Sequence, residues 1–369
     1  MNSVFLSGYY GEKNTGDDAL LMCALWGCDS FLKPDSINVT TAPLTYSKFS
    51  FNPIFLKEET IRNNNLINLY YHAITAQYIV FGGGSVFHST DKMTQDRDLI
   101  DLCRGDKSIA LGVSFGPFRD SGAETACKKL LERFKYIGCR DNDSFQLVQS
   151  LAPHVKVEKT FDLAPLLFKV LGENTTYLNE KKRKGLGLAL CHYEQYINGD
   201  TSIEKRRIKK MINVLNQLSP YDIEEIVLID FNGHPIFGDF NIHKEIIQNL
   251  KVAIPIKYIP YHQDPINAFK KIAHLKCLIG MRLHSSIFGY ITKTPTINFS
   301  YHPKCLGWAE QIGASNDFVI DSQKFEEEEL LNSINKVFNS DYKNPKLSIE
   351  QAEKLALRNW EGAKWNLFQ

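Results

Sequence analysis

Short runs of β-branched and aromatic residues alternate with stretches of helical periodicity along the whole chain, a rhythm that suits parallel strands joined by helical crossovers. Strands of such sheets are covered on both faces, so they read as continuous apolar runs. In the first half the expected strands are Val4–Ser7, Ile37–Thr41, Tyr78–Phe81, Ser108–Val113, Tyr136–Cys139 and Val155–Lys159, with helices at Asp18–Trp26 and Ala123–Phe134. Residues 172–185 then turn polar and charged without apolar periodicity, and read as a linker. The second half resumes with strands at Leu186–Cys191, Glu225–Asp230, Ile256–Ile259, Cys277–Gly280 and Thr296–Phe299. Its helices are expected at Ile203–Leu218, Pro265–His274, Ser285–Ile291 and Lys304–Ile312.

A chain of 369 residues exceeds what one core usually serves. The expected class is therefore α/β with two Rossmann-like domains facing across a cleft, over residues 1–172 and 185–345. Residues 346–369 form a terminal helix that carries Ala352, Leu355, Leu357, Trp360, Ala363 and Trp365 and is expected to pack back across both domains. With 43 basic against 42 acidic residues, no net field argues for nucleic acid or an anionic membrane surface. The eight cysteines form no Cys-x-x-Cys pair and sit mostly within apolar segments, as buried thiols do in reducing compartments. The N-terminus lacks a basic leader and a long apolar core, and no segment reaches the roughly 18 apolar residues of a membrane span. A cytoplasmic protein is expected. Any contact with the inner face of the cytoplasmic membrane would be peripheral, through a lipid-linked substrate or a partner.

Ligands in this architecture sit at the carboxyl ends of parallel strands, which focuses attention on the residues there. After the first strand comes Gly8-Tyr9-Tyr10-Gly11-Glu12-Lys13-Asn14-Thr15-Gly16-Asp17-Asp18-Ala19, where three glycines permit close backbone approach and Asn14 and Asp17 can point at a ligand. Asp17 or Asp18 serving only as a helix cap is the plainer alternative. The run Gly82-Gly83-Gly84-Ser85 follows the Tyr78 strand, and three consecutive glycines cost backbone entropy unless something must approach closely. Arg140 ends another strand, free to bind an anion or to pair with Asp143, while Asp162 reads as structural.

In the second half, Cys277-Leu278-Ile279-Gly280-Met281-Arg282-Leu283-His284-Ser285-Ser286 delivers Arg282 and His284 from a strand into the first turn of a helix. A helix N-terminus with an arginine fork beside it suits a carboxylate or phosphate. A strand-end arginine in solvent and a helix-capping histidine are the ordinary reading of the same residues. His192 and His302 also follow strand-like runs. A zinc site is the alternative for these histidines, though no neighbouring Cys or paired carboxylate supports it, and no metal is expected. Neither the dinucleotide fingerprint nor the phosphate loop is present, and a serine hydrolase is not expected.

Taken together and in this order, the Gly8–Ala19 segment, Gly82-Gly83-Gly84-Ser85, Arg140-Asp141-x-x-Ser144, Arg282-Leu283-His284 and Tyr301-His302-Pro303-Lys304 resemble the polysaccharide pyruvyltransferase family. The resemblance implies a GT-B-like fold and no cofactor. It implies phosphoenolpyruvate as donor, a glycan or lipid-linked oligosaccharide as acceptor, and a cyclic pyruvate ketal as product. Phosphoenolpyruvate carries a carboxylate and a phosphate, for which Arg282, Arg140, Lys304, Ser285, His302 and His192 are the expected donor contacts. His284 is the expected proton carrier, and Asp17 and Asp239 the carboxylates for hydroxyl activation. Gly11, Asn14, Gly16, Gly83, Gly84 and Ser85 would line the acceptor side. Relatives often have an arginine after the first strand of the second domain, where this chain has Cys191-His192. A nucleotide-sugar glycosyltransferase on the same fold, or a non-catalytic sugar-phosphate-binding scaffold, would place similar residues at these strand ends.

Overall fold

The computed structural model describes residues 2–41, 49–54, 62–105, 107–172 and 183–367, with the side chains of 62–66 set aside. Most of the expected linker, residues 173–182, lies outside the described residues. The elements run β1 (Ser3–Tyr10), α1 (Thr15–Gly27), β2 (Ser36–Thr41), β3 (Asn52–Ile54), α2 (Arg62–Thr75), β4 (Tyr78–Phe87), α3 (Thr90–Leu102), β5 (Ser108–Phe115), α4 (Ala123–Leu131), β6 (Tyr136–Cys139), α5 (Asn142–Leu151), β7 (Val157–Lys159) and α6 (Leu167–Leu171). They continue with β8 (Leu186–Ala189), α7 (Thr201–Asn216), β9 (Ile226–Ile229), α8 (Phe240–Asn249), β10 (Ile256–Ile259), α9 (Pro265–Ala273), β11 (Cys277–Gly280), α10 (Leu283–Ile291), β12 (Thr296–Ser300), α11 (Pro303–Ile312), β13 (Val319–Asp321), α12 (Glu327–Phe338) and α13 (Ile349–Leu367).

The chain divides into two compact units. One comprises Met1–Glu12, Asp17–Gly172 and Glu350–Gln369; the other comprises Lys13–Gly16 and Glu173–Ile349. Each holds one parallel sheet, ordered β3-β2-β1-β4-β5-β6-β7 in the first and β10-β9-β8-β11-β12-β13 in the second. In both, the chain builds outward on one side of its first strand and then on the other. The points where the order reverses, between β1 and β4 and between β8 and β11, are where such sheets offer room for ligands.

The first core gathers Phe81, Phe87, Phe115 and Phe134, with the Phe87 and Phe115 rings stacked at 4.8 Å and Phe134 edge-on to Phe81 at 5.5 Å. The second is aliphatic along β8, β9 and β11, closed by Phe299 against Phe325 at 5.0 Å. All eight cysteines are free and buried. Among the described residues no helix is long and apolar enough to cross a membrane.

Within the first unit, α13 is anchored by a single buried amide. Asn359 Oδ1 accepts from the Gly112 amide and the Thr160 hydroxyl, both at 2.8 Å, and Nδ2 donates to the Phe161 and Ala356 carbonyls at 3.0 Å. All four capacities of that side chain are used, which ties the helix to β5 and to the segment after β7. Asn359→Leu strands the buried Gly112 amide and is expected to destabilise the protein by about 2–3 kcal/mol. Urea unfolding followed by tryptophan fluorescence checks this; an unchanged midpoint would contradict the anchoring role.

Candidate functional site

At the order reversal of the second sheet, the Ala189 carbonyl at the end of β8 accepts from the amides of Met281 and Arg282, at 3.0 and 3.2 Å. This ties the exits of β8 and β11 together. Arg282 stays extended (φ −63°, ψ 128°) and occupies the N-cap position of α10, so its side chain leaves the sheet edge just before the helix begins. Its Nε, at 3.0 Å, and its Nη2 both donate to Asp239 Oδ1. Burial, the largest single effect, works against the charge of Arg282, but the groups around it, Asp239 foremost with Cys191 and Tyr301, together outweigh burial and raise its pKa. The side chain keeps 20% exposure, and no partner for Nη1 is found among the described residues. The guanidinium is thus fixed along one edge and open along another, a fork suited to an anion.

Asp239 itself is fully buried. Its Oδ2 accepts from the amides of Phe231 and Asn232, both at 2.9 Å, while Oδ1 takes both bonds from Arg282. The expectation that Asp239 activates a sugar hydroxyl is corrected here: its lone pairs are occupied and its surface is closed to substrate. It is the anchor of Arg282.

His284 follows in the first turn of α10, half-buried. Ser285 and Ser286 do not face a ligand with their hydroxyls: Ser285 Oγ donates to the Arg282 carbonyl at 2.6 Å and Ser286 Oγ to the Gly280 carbonyl at 3.0 Å. The expected anion contact through the Ser285 side chain is therefore corrected, since its hydroxyl hydrogen tightens the turn. The segment Lys13–Gly16 completes this part of the unit. Gly233 donates to the Lys13 carbonyl and Thr15 to the Phe231 carbonyl, each at 2.8 Å, and Asn14 bridges to Asn232. Asn14 Oδ1 accepts from the Gly16 amide at 3.1 Å, so this side chain shapes its own turn. A Cβ at Gly16 would lie 2.1 Å from His284 Nδ1. The imidazole rests against the Gly16 backbone, which explains a glycine at that position.

His302 caps α11, its Nδ1 accepting from the Lys304 amide at 3.2 Å. Burial, and then the Lys304 charge, lower its pKa to about 4. It is consequently a neutral imidazole near pH 7, not a cation for phosphate. Lys304 stands in the first turn of α11, half-buried. His192, three residues beyond the end of β8, pairs through Nδ1 with Glu204 of α7.

Three buried polar groupings were not expected from the sequence. Glu204 is one. In the second, Arg207 pairs with Glu194 and donates to the Ser322 carbonyl at 3.1 Å. In the third, Asp230 accepts from His243 Nδ1 at 2.6 Å and from the Tyr258 hydroxyl, while His243 Nε2 accepts from the Leu190 amide at 3.2 Å. Those bonds give His243 its proton on Nδ1. Glu204, Arg207 and His243 lie on helices that otherwise read as ordinary amphipathic surface elements, and no spacing signal marks them. Among the described residues no three of His, Cys, Asp or Glu are grouped to hold a metal ion.

In the first unit, the glycine run does not follow β4 but lies inside it, because that strand continues to Phe87. Cβ atoms at Gly82 and Gly83 would meet Tyr10 Oη at 2.5 Å and Leu20 Cδ1 at 3.1 Å, so close packing of β1 and α1 on the strand accounts for two of the three glycines. Gly83 and Gly84 have φ of +80° and +87°, which side-chain-bearing residues rarely adopt. Beside Gly84 the nearest atom to an added Cβ would be Asp17 Oδ1, at 3.5 Å, so this glycine leaves the carboxylate uncrowded. Gly11, at φ 74°, donates its amide to Asp18 Oδ1 at 3.0 Å. Arg140 also belongs to this unit, and its fork is spent on the protein: Nε on Ser114 Oγ at 2.6 Å, Nη1 on Asp162 at 2.8 Å and Nη2 on Ser85 Oγ at 2.9 Å. That buried strut corrects the expectation of an anion contact, and Asp162 is its structural partner. Ser85 serves the same strut.

The two parallel-sheet units define a GT-B-type α/β protein. Its fold is similar to that of a Listeria monocytogenes protein assigned as a UDP-N-acetylglucosamine 2-epimerase (TM-score 0.57, 10% identity, 100% of this chain and 94% of that one covered). It is also similar to the UDP-GlcNAc 2-epimerase of Neisseria meningitidis bound to UDP-GlcNAc (TM-score 0.56, 12% identity, 98% and 100% covered). A third similar structure is that of trehalose-6-phosphate from E. coli bound with UDP-2-fluoro glucose (TM-score 0.50, 8% identity, 99% and 96% covered). At such identities the likeness is one of fold. Residues 14–303 match the family model for polysaccharide pyruvyl transferase, and the chain belongs to that family. No curated protein matches the sequence significantly.

Two outcomes follow from this geometry. Gly16→Ala displaces the His284 ring, and a turnover assay should find activity lowered about tenfold or more with little change in melting temperature, the loss that about 1.4 kcal/mol of misplacement brings. Acid should weaken the fold through His302. Its folded pKa near 4 lies below the usual 6.5, so between those values the unfolded chain binds a proton that the folded chain refuses. Stability is full above pH 6.5 and declines as pH falls towards 4. His302→Asn keeps a capping acceptor and should flatten that part of a melting-temperature profile; an identical profile would contradict the assignment.

Proposed function

We propose that the protein transfers the enolpyruvyl carbons of phosphoenolpyruvate to two hydroxyls of one sugar, closing a pyruvate ketal and releasing phosphate. The acceptor is a surface polysaccharide or its lipid-linked precursor, met in the cytoplasm at the inner face of the membrane. Membership of the family supports a pyruvyl transfer. The observation that carries the donor side is the fork of Arg282, fixed by buried Asp239 and open at Nη1, with His284 two residues on.

In this reading Arg282 holds the donor's carboxylate or phosphate, and Lys304 and the first turn of α10 add positive potential. His284 delivers a proton to the methylene carbon, which makes the central carbon electrophilic, and the first sugar hydroxyl adds there. The C–O bond to phosphate then breaks with its electron pair going to phosphate, and the second hydroxyl closes the ring. Asp17, beside Gly84, is the carboxylate assigned to hydroxyl activation. The group gains one methyl proton from the exchange, and the two hydroxyl protons balance that methyl proton and the phosphate.

The test is incubation with phosphoenolpyruvate and methyl glycosides of glucose, galactose and mannose, read by mass spectrometry for a pyruvyl ketal together with phosphate. Nucleotide release from sugar nucleotides, without ketal, would replace this reading with glycosyl transfer; binding without turnover would favour a scaffold. Arg282→Lys should raise KM for phosphoenolpyruvate at least about tenfold, because a point charge does not reproduce the bidentate fork. His284→Gln should lower kcat about 100-fold with a smaller change in KM, the usual size of a general-acid contribution. Wild-type kinetics in both variants would remove the site from the second unit's sheet edge.

A further inference from the structure

His192, expected from the sequence as a donor contact, is paired with Glu204 and has no part in the reaction proposed above. His192 follows β8, the strand whose Ala189 carbonyl receives the Arg282 amide, so both side chains leave adjoining strands at the same edge. Glu204 lies in the first turn of α7 and is buried, its side chain 7% exposed, while the His192 side chain keeps 13%. Glu204 Oε1 is hydrogen-bonded to His192 Nδ1, and Oε2 accepts from the Gln195 amide at 3.4 Å. Burial raises the pKa of Glu204, but the His192 hydrogen bond and charge, the Gln195 amide and the Arg207 charge together outweigh it and leave it lowered, so the carboxylate stays ionised. An ionised carboxylate can only accept, which puts a hydrogen on Nδ1 whatever the charge of the ring. The position left to exchange a proton with a ligand is then Nε2, and the carboxylate orients the ring.

We propose that His192 is a second proton-transfer group of the reaction, acting at the departure of phosphate, with Glu204 as its positioning residue. The assignment rests on the pyruvyl-transfer reading. As the C–O bond to phosphate breaks, the bond's electron pair leaves with phosphate and protonated Nε2 gives its proton to a phosphate oxygen. The second sugar hydroxyl then bonds to the same carbon, and its proton returns to Nε2. His192 ends the step as it began, and no further reactant is required.

The test is steady-state kinetics of the full chain on phosphoenolpyruvate with the methyl glycosides named above, for wild type, His192→Gln, Glu204→Gln and the double variant. The expected result is a kcat loss of about 100-fold for His192→Gln and about tenfold for Glu204→Gln, with KM for phosphoenolpyruvate changed less than about threefold. The double variant should be no slower than His192→Gln, because Glu204 acts only through the ring. Losses that multiply, a KM effect with unchanged kcat, or wild-type rates would overturn the dyad while leaving pyruvyl transfer standing. A wild type that forms no ketal from any of the glycosides overturns the parent reading and the dyad's role together. Should Glu204→Gln not fold, Glu204→Asp and the proton spectrum of the wild-type imidazole replace it. A shortened carboxylate should leave intermediate kcat, and the wild type should display a far-downfield Nδ1 proton; its absence counts against the dyad.

Discussion

The buried contact between Asp239 and Arg282 is the interaction on which the second unit's site depends. One carboxylate oxygen holds the guanidinium, and the other gathers the amides of Phe231 and Asn232. Asn232 in turn bridges to Asn14, and Gly16, two residues on, lies against His284. Removing the carboxylate would therefore loosen the arginine, the turn after β9 and the seat of the histidine at once. A buried ion pair contributes little net stability when intact and costs several kcal/mol when one partner is lost. Its value in this protein is positional: it presents one edge of the guanidinium in one orientation.

Positive charge at the site is also rationed. His302 is neutral because it is buried and caps a helix beside Lys304, and Arg140 is engaged by Asp162 within the first unit. Arg282 keeps part of its guanidinium exposed at the carboxyl edge of the second sheet, and Lys304 stands in the first turn of α11.

The α/β class, the alternation of elements and most strand positions were legible because apolar periodicity reports burial directly. Strands such as Tyr136–Cys139, Ile256–Ile259 and Cys277–Gly280 occupy the expected residues. The family was legible as well, through an ordered set of short strand-end segments and not through any one of them. What failed was the division of labour among those segments. Asp239, Arg140 and Ser285 were read as groups that meet substrate, and each turned out to bond to the protein. Residue type and strand-end position are the same for a polar group that binds substrate and for one that supports it; partners alone distinguish them. At Gly82 and Gly83 the demand for a small residue comes from Tyr10 and Leu20 packing on β4.

By itself the sequence determined the parallel-sheet architecture, the likeness to pyruvyl transferases and the delivery of Arg282 and His284 to the start of a helix. These are properties of local pattern, and local pattern is written in consecutive residues. Only the tertiary structure decided that Asp239 anchors Arg282 across 43 positions, that Gly16 seats His284, and that Glu204 stands behind His192. Such pairings depend on which helices and loops the strand order brings to one edge of a sheet, and no spacing along the chain encodes that distance.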